Sequence, residues 1–361
     1  MCFNVLGVRV SIPLHVKFRR KLKIIVGNSL RYFSPKPSMN VIKSPEVKNM
    51  LVVRINYRIG NMLFTTPLIQ QLQTSFPDAK IDVLIGASFT KNLFSGFENI
   101  ENIYDFPRAL LKHPMELFRY VKQLRSKKYD VVLNLNGNSS SDRLATLLAS
   151  STYKVAFCND TTFTPVNRCV KRENLDVCHE ALKPLELMKI FNISPNYELK
   201  LSIALSQKEL QWGKEELSEL INKDNKRVFA IFRNARFDKL IDDVYWKELV
   251  QSLQKIDEKI LFIDILSPDV PEKLSDEVVA YSQKDLRKLA AFMANLDAFI
   301  CADTGPMHLA SASGVPTIAL FKTTAPALYG TLKESDKSLE MGEKSAQEVA
   351  KEILEHLHQV V

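Results

Sequence analysis

The sequence has no C-x-x-C pair and no run of 18 apolar residues, and its first 48 positions hold a single acid, Glu46. Each absence excludes something. Five cysteines (Cys2, Cys158, Cys169, Cys178 and Cys301) without paired spacing argue against a zinc site and against a disulfide framework, and suit a reducing cytoplasm. Without a long apolar run no membrane-spanning helix is expected. The apolar start has no basic region before it and does not fit a secretory signal. Ten Lys or Arg stand against Glu46 in the first 48 residues, whereas the whole chain carries +8, so residues 49–361 are close to neutral. Basicity confined to a leader removes the support for a general nucleic-acid-binding protein, and no nucleic-acid partner is expected.

What is present reads as an ordinary globular chain, 46% hydrophobic and 25% charged. At 361 residues it exceeds the size at which single cores stop growing, so two domains are expected. In the leader, Leu14, Phe18, Leu22, Ile25, Val26, Leu30 and Phe33 recur at three- and four-residue steps among Lys17, Arg19, Arg20, Lys21 and Lys23. A helix so written either lies on an anionic membrane surface through residues 14–33 or packs on its own domain. Pro35, Pro37, Ser38, Ser44 and Pro45 mark a linker near 34–48. Residues 1–48 therefore form a basic amphipathic leader and linker.

Beyond the linker, apolar runs alternate with amphipathic segments. "MLVVRI", "KIDVLIG", "YDVVLNLNG" and "YKVAF" form one series, and "RVFAIF", "KILFIDIL", "DAFICAD" and "VPTIALF" a second. Such alternation predicts parallel strands joined by crossover helices, hence two doubly wound α/β halves with a boundary in 193–206. The expected division is 49–200, 201–340 and a C-terminal helix over 341–361. Sheets of this kind bind ligands beyond the carboxyl ends of their strands.

In "LDAFICADTGPMHLASASGVPTIALF" a buried strand ends at Ala302, Asp303 and Thr304 turn, and Pro306 stands where a helix begins. Gly305 permits close backbone approach, and the unpaired first-turn amides make the site suited to a phosphate or diphosphate. His308, one turn inside, is a donor to that phosphate or a satisfied core histidine. Asp303 reads as a turn or capping residue, because a carboxylate would repel a diphosphate. After "RVFAIF", the loop "FRNARFDKLIDDVYWKELV" places Arg233, Arg236 and Lys239 where a second phosphate contact could arise.

These segments resemble glycosyltransferase family 9, the bacterial heptosyltransferases of lipopolysaccharide core assembly, over most of residues 50–335. "DTGPMHLASASGVPT" matches the family's donor motif nearly throughout. "TTPLIQQLQTSFPDAKIDVL" is similar to its first helix and second strand, "LNLNGNSSSDRLATLLASSTYKVAF" to its next loop and helix, and "HEALKPLELMKIFNIS" to the helix that ends the acceptor half. The resemblance implies a GT-B architecture, two Rossmann-like domains facing a cleft. It implies an ADP-heptose-like nucleotide sugar as co-substrate, a lipid-linked saccharide acceptor, no cofactor and no metal, and work at the cytoplasmic face of the inner membrane. By the same resemblance the donor would be held by Asp303, Thr304, Gly305, Pro306, His308, Lys239, Arg236 and, in a loosely similar ribose loop, Glu272. Arg54 and Arg58, which flank the first turn, are either basic groups that grip carboxylates or phosphates of the acceptor or solvated loop cations, and Gly60 and Asn138 are the further acceptor candidates.

One position departs from the pattern. The residue after the first turn glycine is ordinarily an Asp that acts as general base, and here it is Asn61, whose amide can orient a hydroxyl but not take its proton. Three readings follow: another carboxylate supplies the base, with Asp142 on a post-strand loop and Asp82 within a strand as candidates; transfer runs without a strong base; or the protein is a catalytically silent GT-B sugar-nucleotide-binding protein. An epimerase-like enzyme of the same fold is a further alternative.

Overall fold

The computed structural model describes residues 37–360 apart from 44–46, 108–109, 111–112, 138, 159–165, 172–178 and 222–225, so the 14–33 leader pattern and Asn138 lie outside the described residues. Two six-stranded sheets carry the fold. The first runs β3-β2-β1-β4-β5-β6, from β1 (Asn49–Arg54), β2 (Lys80–Ile85), β3 (Ile100–Asp105), β4 (Tyr129–Asn134), β5 (Ser151–Phe157) and β6 (Arg168–Val170). The second runs β12-β11-β10-β7-β8-β9, from β7 (Arg227–Phe232), β8 (Ile260–Ile265), β9 (Val279–Tyr281), β10 (Ala298–Ala302), β11 (Thr317–Phe321) and β12 (Lys337–Glu340). All strand pairs are parallel.

The central strands read as unbroken apolar runs because helices cover both faces. Met50 to Val53 of β1 and all of β10 are fully buried. In each sheet the chain reverses its direction of travel between the two central strands, β1 and β4 in one, β10 and β7 in the other. Their registers bring Val53 opposite Asn134 and Cys301 opposite Phe232, so the carboxyl ends of each central pair lie level. Those ends are the crevices where such sheets take ligands.

Helices leave each crevice with local reasons to start. Ser139 caps helix Ser140–Leu148 by accepting from the Asp142 amide, and Asp242 caps helix Asp243–Ile256 by accepting from that of Tyr245. Helix Gly305–Ser313 has Pro306 in its first turn and stops at Gly314, whose φ of +103° is left-handed and whose N–H reaches back to the Ala310 and Ser311 carbonyls. The last helix, Ala346–Val360, buries Val349, Ala350, Ile353, Leu354 and Leu357 in a cluster shared with Trp246, Leu249 and Leu253.

A buried arginine ties the halves where the chain crosses between them. Arg287 donates to the Ile203, Ala204 and Asn92 carbonyls at 2.9, 3.0 and 3.3 Å and pairs with Glu209 at 2.5 Å. Gly96 lies so close to the Ala204 carbonyl that a Cβ there would fall 1.9 Å from its oxygen.

Two expectations are corrected. The segment similar to the last helix of the acceptor half is a run of 3-10 turns, Lys183–Phe191, entered through Pro184 and closed by left-handed Asn192 at φ 58°. The case against a disulfide fails for one pair. Cys158 and Cys169 are bonded with Cα atoms 5.1 Å apart, because the β5–β6 ladder sets Ala156 beside Cys169 and continues as Cys158 N–H to the Val170 carbonyl. Spacing along the chain does not reveal which strands will be neighbours. Among the described residues no helix is long and apolar enough to cross a membrane.

Candidate active site

Nearly every sequence-predicted residue falls just after one of the four central strands. Arg54 closes β1 and Arg58, Gly60 and Asn61 follow it, Asp142 follows β4, Arg236 and Lys239 follow β7, and Asp303 to His308 follow β10. Glu272 does not. It is exposed on the loop after β8, and its carbonyl accepts from Arg233.

The two halves meet through their first post-strand helices. Ile59–Leu63 lies against Gly305–Ser313, and Gly60 is the point of closest approach: a Cβ there would stand 2.4 Å from His308 Cδ2. A Cβ on Gly305 would meet Ile59 Cβ at 3.4 Å. Thr304, Gly305 and Pro306 are nevertheless partly exposed at the helix start, whereas Met307 to Ala312 are buried. The start of that helix therefore stays partly accessible beside its contact with Ile59.

Lys239 stands beside that helix start. Its ammonium pairs with Asp303 Oδ2 at 2.5 Å, and the Thr324 hydroxyl donates to the same carboxylate oxygen. Asp303 thus holds a cation in place at the carboxyl end of β10. Thr324, on the loop after β11, carries no short signature and was not foreseen. Arg236 is exposed on the same post-β7 loop. Arg233, grouped with these in the sequence, is committed inward: it pairs with Asp264 at 2.9 Å and Asp243 at 2.6 Å.

His308 is 5% exposed and packs edge-on against Phe64, ring centroids 4.6 Å apart. Burial pulls its pKa down to about 3, so the imidazole is neutral near pH 7, and its Nδ1 has no hydrogen-bond partner among the described residues. Phe64 also meets His179 edge-on, ring centroids 5.5 Å apart; His179 hydrogen-bonds to the Gly330 carbonyl at 2.9 Å from Nε2 and accepts from the Ala181 amide at Nδ1. Phe64 thus takes edge-on contacts from both histidines.

On the first half, the side chain of Asn56 organises the turn, with Oδ1 accepting from the Arg58 amide at 3.0 Å and from Asn61 Nδ2 at 3.3 Å. Sequence reading missed Asn56, which shares no motif with Asn61. Next to it, Asp142 accepts from the Ile55 amide at 3.3 Å and from the Ser139 hydroxyl at 2.7 Å, both at Oδ1. Its Oδ2 is buried with no hydrogen-bond partner among the described residues, and Arg54 lies close enough to act on it electrostatically. Loss of hydration raises the Asp142 pKa to about 7, against the opposing pull of Ser139 and Arg54. Asp82, the other candidate carboxylate, is spent inside the first half, accepting from Tyr129 at 2.7 Å and pairing with Lys127 at 3.0 Å.

Two parallel doubly wound sheets meeting through their post-strand helices constitute the GT-B architecture. A glycosyl transferase family 9 structure from Veillonella parvula superposes with a TM-score of 0.73 at 17% identity, covering 86% of this chain and 97% of that one. Escherichia coli heptosyltransferase WaaC, solved with ADP, gives 0.69 at 22% identity, with 85% and 99% covered. Residues 117–358 match the model of glycosyltransferase family 9 (heptosyltransferase), and the chain belongs to that family. It is thus a glycosyltransferase. Lipopolysaccharide heptosyltransferase 3 of E. coli is 26% identical over 285 residues, 73% of this chain and 81% of that protein.

Proposed function

We propose that the enzyme moves a heptose-like sugar, with inversion, from an ADP-linked donor to a lipopolysaccharide-core or other lipid-linked saccharide at the cytoplasmic face of the inner membrane. The observation that carries this reading is the partly exposed start of helix Gly305–Ser313, with Lys239 tethered beside it, opposite the Arg58–Asn61 turn. Relatives named as lipopolysaccharide heptosyltransferases and a fold relative solved with ADP support the donor and acceptor classes.

In this account residues 201–340 hold the donor and residues 49–200 the acceptor. Amides of Gly305 onward, with Lys239 and Arg236, neutralise the departing diphosphate without a metal ion. The acceptor oxygen attacks the anomeric carbon, the bond to the diphosphate oxygen breaks, and its electron pair leaves with ADP. Asn61 orients the acceptor hydroxyl. Asp142 is fully buried, so the proton reaches it through Ser139: the Ser139 oxygen takes the acceptor's proton as its own hydrogen passes to Asp142. A carboxylate poised near pH 7 suits that task.

Incubation with ADP-heptose and a lipopolysaccharide-core acceptor tests the reading. Acceptor-dependent release of ADP with a heptosylated product is expected. The amide at Asn61 favours one other reading, a silent sugar-nucleotide-binding protein, which would bind ADP yet release none from the donor. Release of ADP without acceptor would point to chemistry on the sugar nucleotide alone.

A further inference from the structure

Helix Pro114–Ser126 links β3 to β4 and turns Leu117, Tyr120 and Leu124 toward the first sheet, where they pack with Phe106, Tyr129 and Ala149. At 3.6 residues per turn those three define the inward face. The opposite face should then be polar, yet Met115 and Phe118 stand on it, 66% and 67% exposed. Arg119, Lys122 and Arg125 share that outer stripe, all exposed, and Glu116 is the helix's one acid.

We infer that this stripe, Met115, Phe118, Arg119, Lys122 and Arg125, is a membrane-docking face that takes an anionic lipid surface. Two exposed large apolar side chains inserted beside a row of cations match the boundary between acyl chains and anionic headgroups. A nucleic acid would satisfy the cations and leave Met115 and Phe118 in water. The chain's own leader is excluded by charge, since its first 48 residues hold ten Lys or Arg against one acid and would meet a cationic face. Position adds a reason. The helix begins at the carboxyl edge of the first sheet, the edge that also presents the Arg58–Asn61 turn and the loop to Asp142. Docking there brings a lipid-linked saccharide to that edge. The vesicle contact itself does not depend on the donor assignment.

Full-length protein would be tested by sedimentation with phosphatidylglycerol–phosphatidylcholine vesicles and with pure phosphatidylcholine vesicles. Met115→Ser with Phe118→Ser should lower partition onto the anionic vesicles by about tenfold or more. Arg119→Ser with Lys122→Ser should lower it by roughly fivefold for each cation removed, with the difference from wild type shrinking at high salt. All four side chains are exposed, so melting temperatures and transfer to a soluble acceptor should be unchanged, which keeps misfolding apart from lost docking. The proposal is overturned if wild type does not prefer anionic vesicles. Undiminished binding by both variants also overturns it, including the case in which deletion of residues 1–36 alone abolishes binding.

Discussion

Asp142 and His308 show how burial sets a residue's chemistry, in opposite directions. A carboxyl stripped of water keeps its proton to about pH 7, whereas an imidazole stripped of water gives its proton up and stays neutral. Asp142→Asn preserves shape and the Ile55 contact but removes the proton acceptor. It should lower kcat by roughly 10²–10⁴-fold with the donor KM nearly unchanged. In wild type kcat should rise with pH through about 7, as Asp142 loses its proton, and this limb should be absent in the variant. A variant whose kcat keeps the same rise would remove Asp142 from the proton path. Motif position was legible for Asp303, Thr304 and Gly305, because strand, turn and Pro306 occur together in one short segment. Burial was not. Arg233 looks like a phosphate ligand in the sequence and His308 like either a phosphate donor or a core histidine, and only tertiary packing shows that Arg233 is committed to Asp264 and that His308 lies under Gly60.

Among the elements, strands named from apolar runs correspond to the inner four of each sheet. Those passed over, β3, β6, β9 and β12, are the edges. "IENIYD" and "KSLE" are polar because an edge strand is partly solvated, and "RCV" and "VAY" are too short to show a period. Contacts between elements leave still less trace. The Ile59–Leu63 and Gly305–Ser313 helices meet across nearly 250 residues, and the glycine that permits it looks in the sequence like any turn residue. Gly60→Ala should force His308 aside, costing about 1–3 kcal/mol and lowering the melting temperature. Combined with His308→Ala, which vacates the space, the two losses should not add. Additive losses in thermal unfolding would show that Gly60 does not serve this approach.

For the whole molecule, the crossing between halves is held by Arg287, whose partners come from both halves and from the segment between them. Arg287→Met should cost about 3 kcal/mol, since it takes the arginine's donors from three carbonyls and leaves Glu209 with only its bonds from Ser206. The pH dependence has a defined sign. Arg287 first, with help from Ser206, pulls the Glu209 pKa from 4.5 to about 2, so the contribution of the ion pair is present above pH 4.5 and is lost as pH falls through that range toward 2. The stability gap between wild type and variant, followed by urea unfolding, should therefore narrow on acidification. A gap that widens or stays constant would mean that the ion pair contributes nothing. None of this was legible beforehand, because "QKDLRKLAAF" reads as a common amphipathic helix and nothing in it announces a partner 78 residues away.

Catalysis in this scheme requires a diphosphate seated on the amides after Thr304, with Lys239, tethered by Asp303, as its counter-charge. Calorimetric titration of wild type and Lys239→Ala with ADP and with adenosine measures that directly. The scheme predicts that the variant loses about tenfold or more in ADP affinity while adenosine binding is unchanged, as expected for one charge-assisted contact to phosphate. Equal losses for both ligands, or ADP bound no less tightly by the variant, would contradict it.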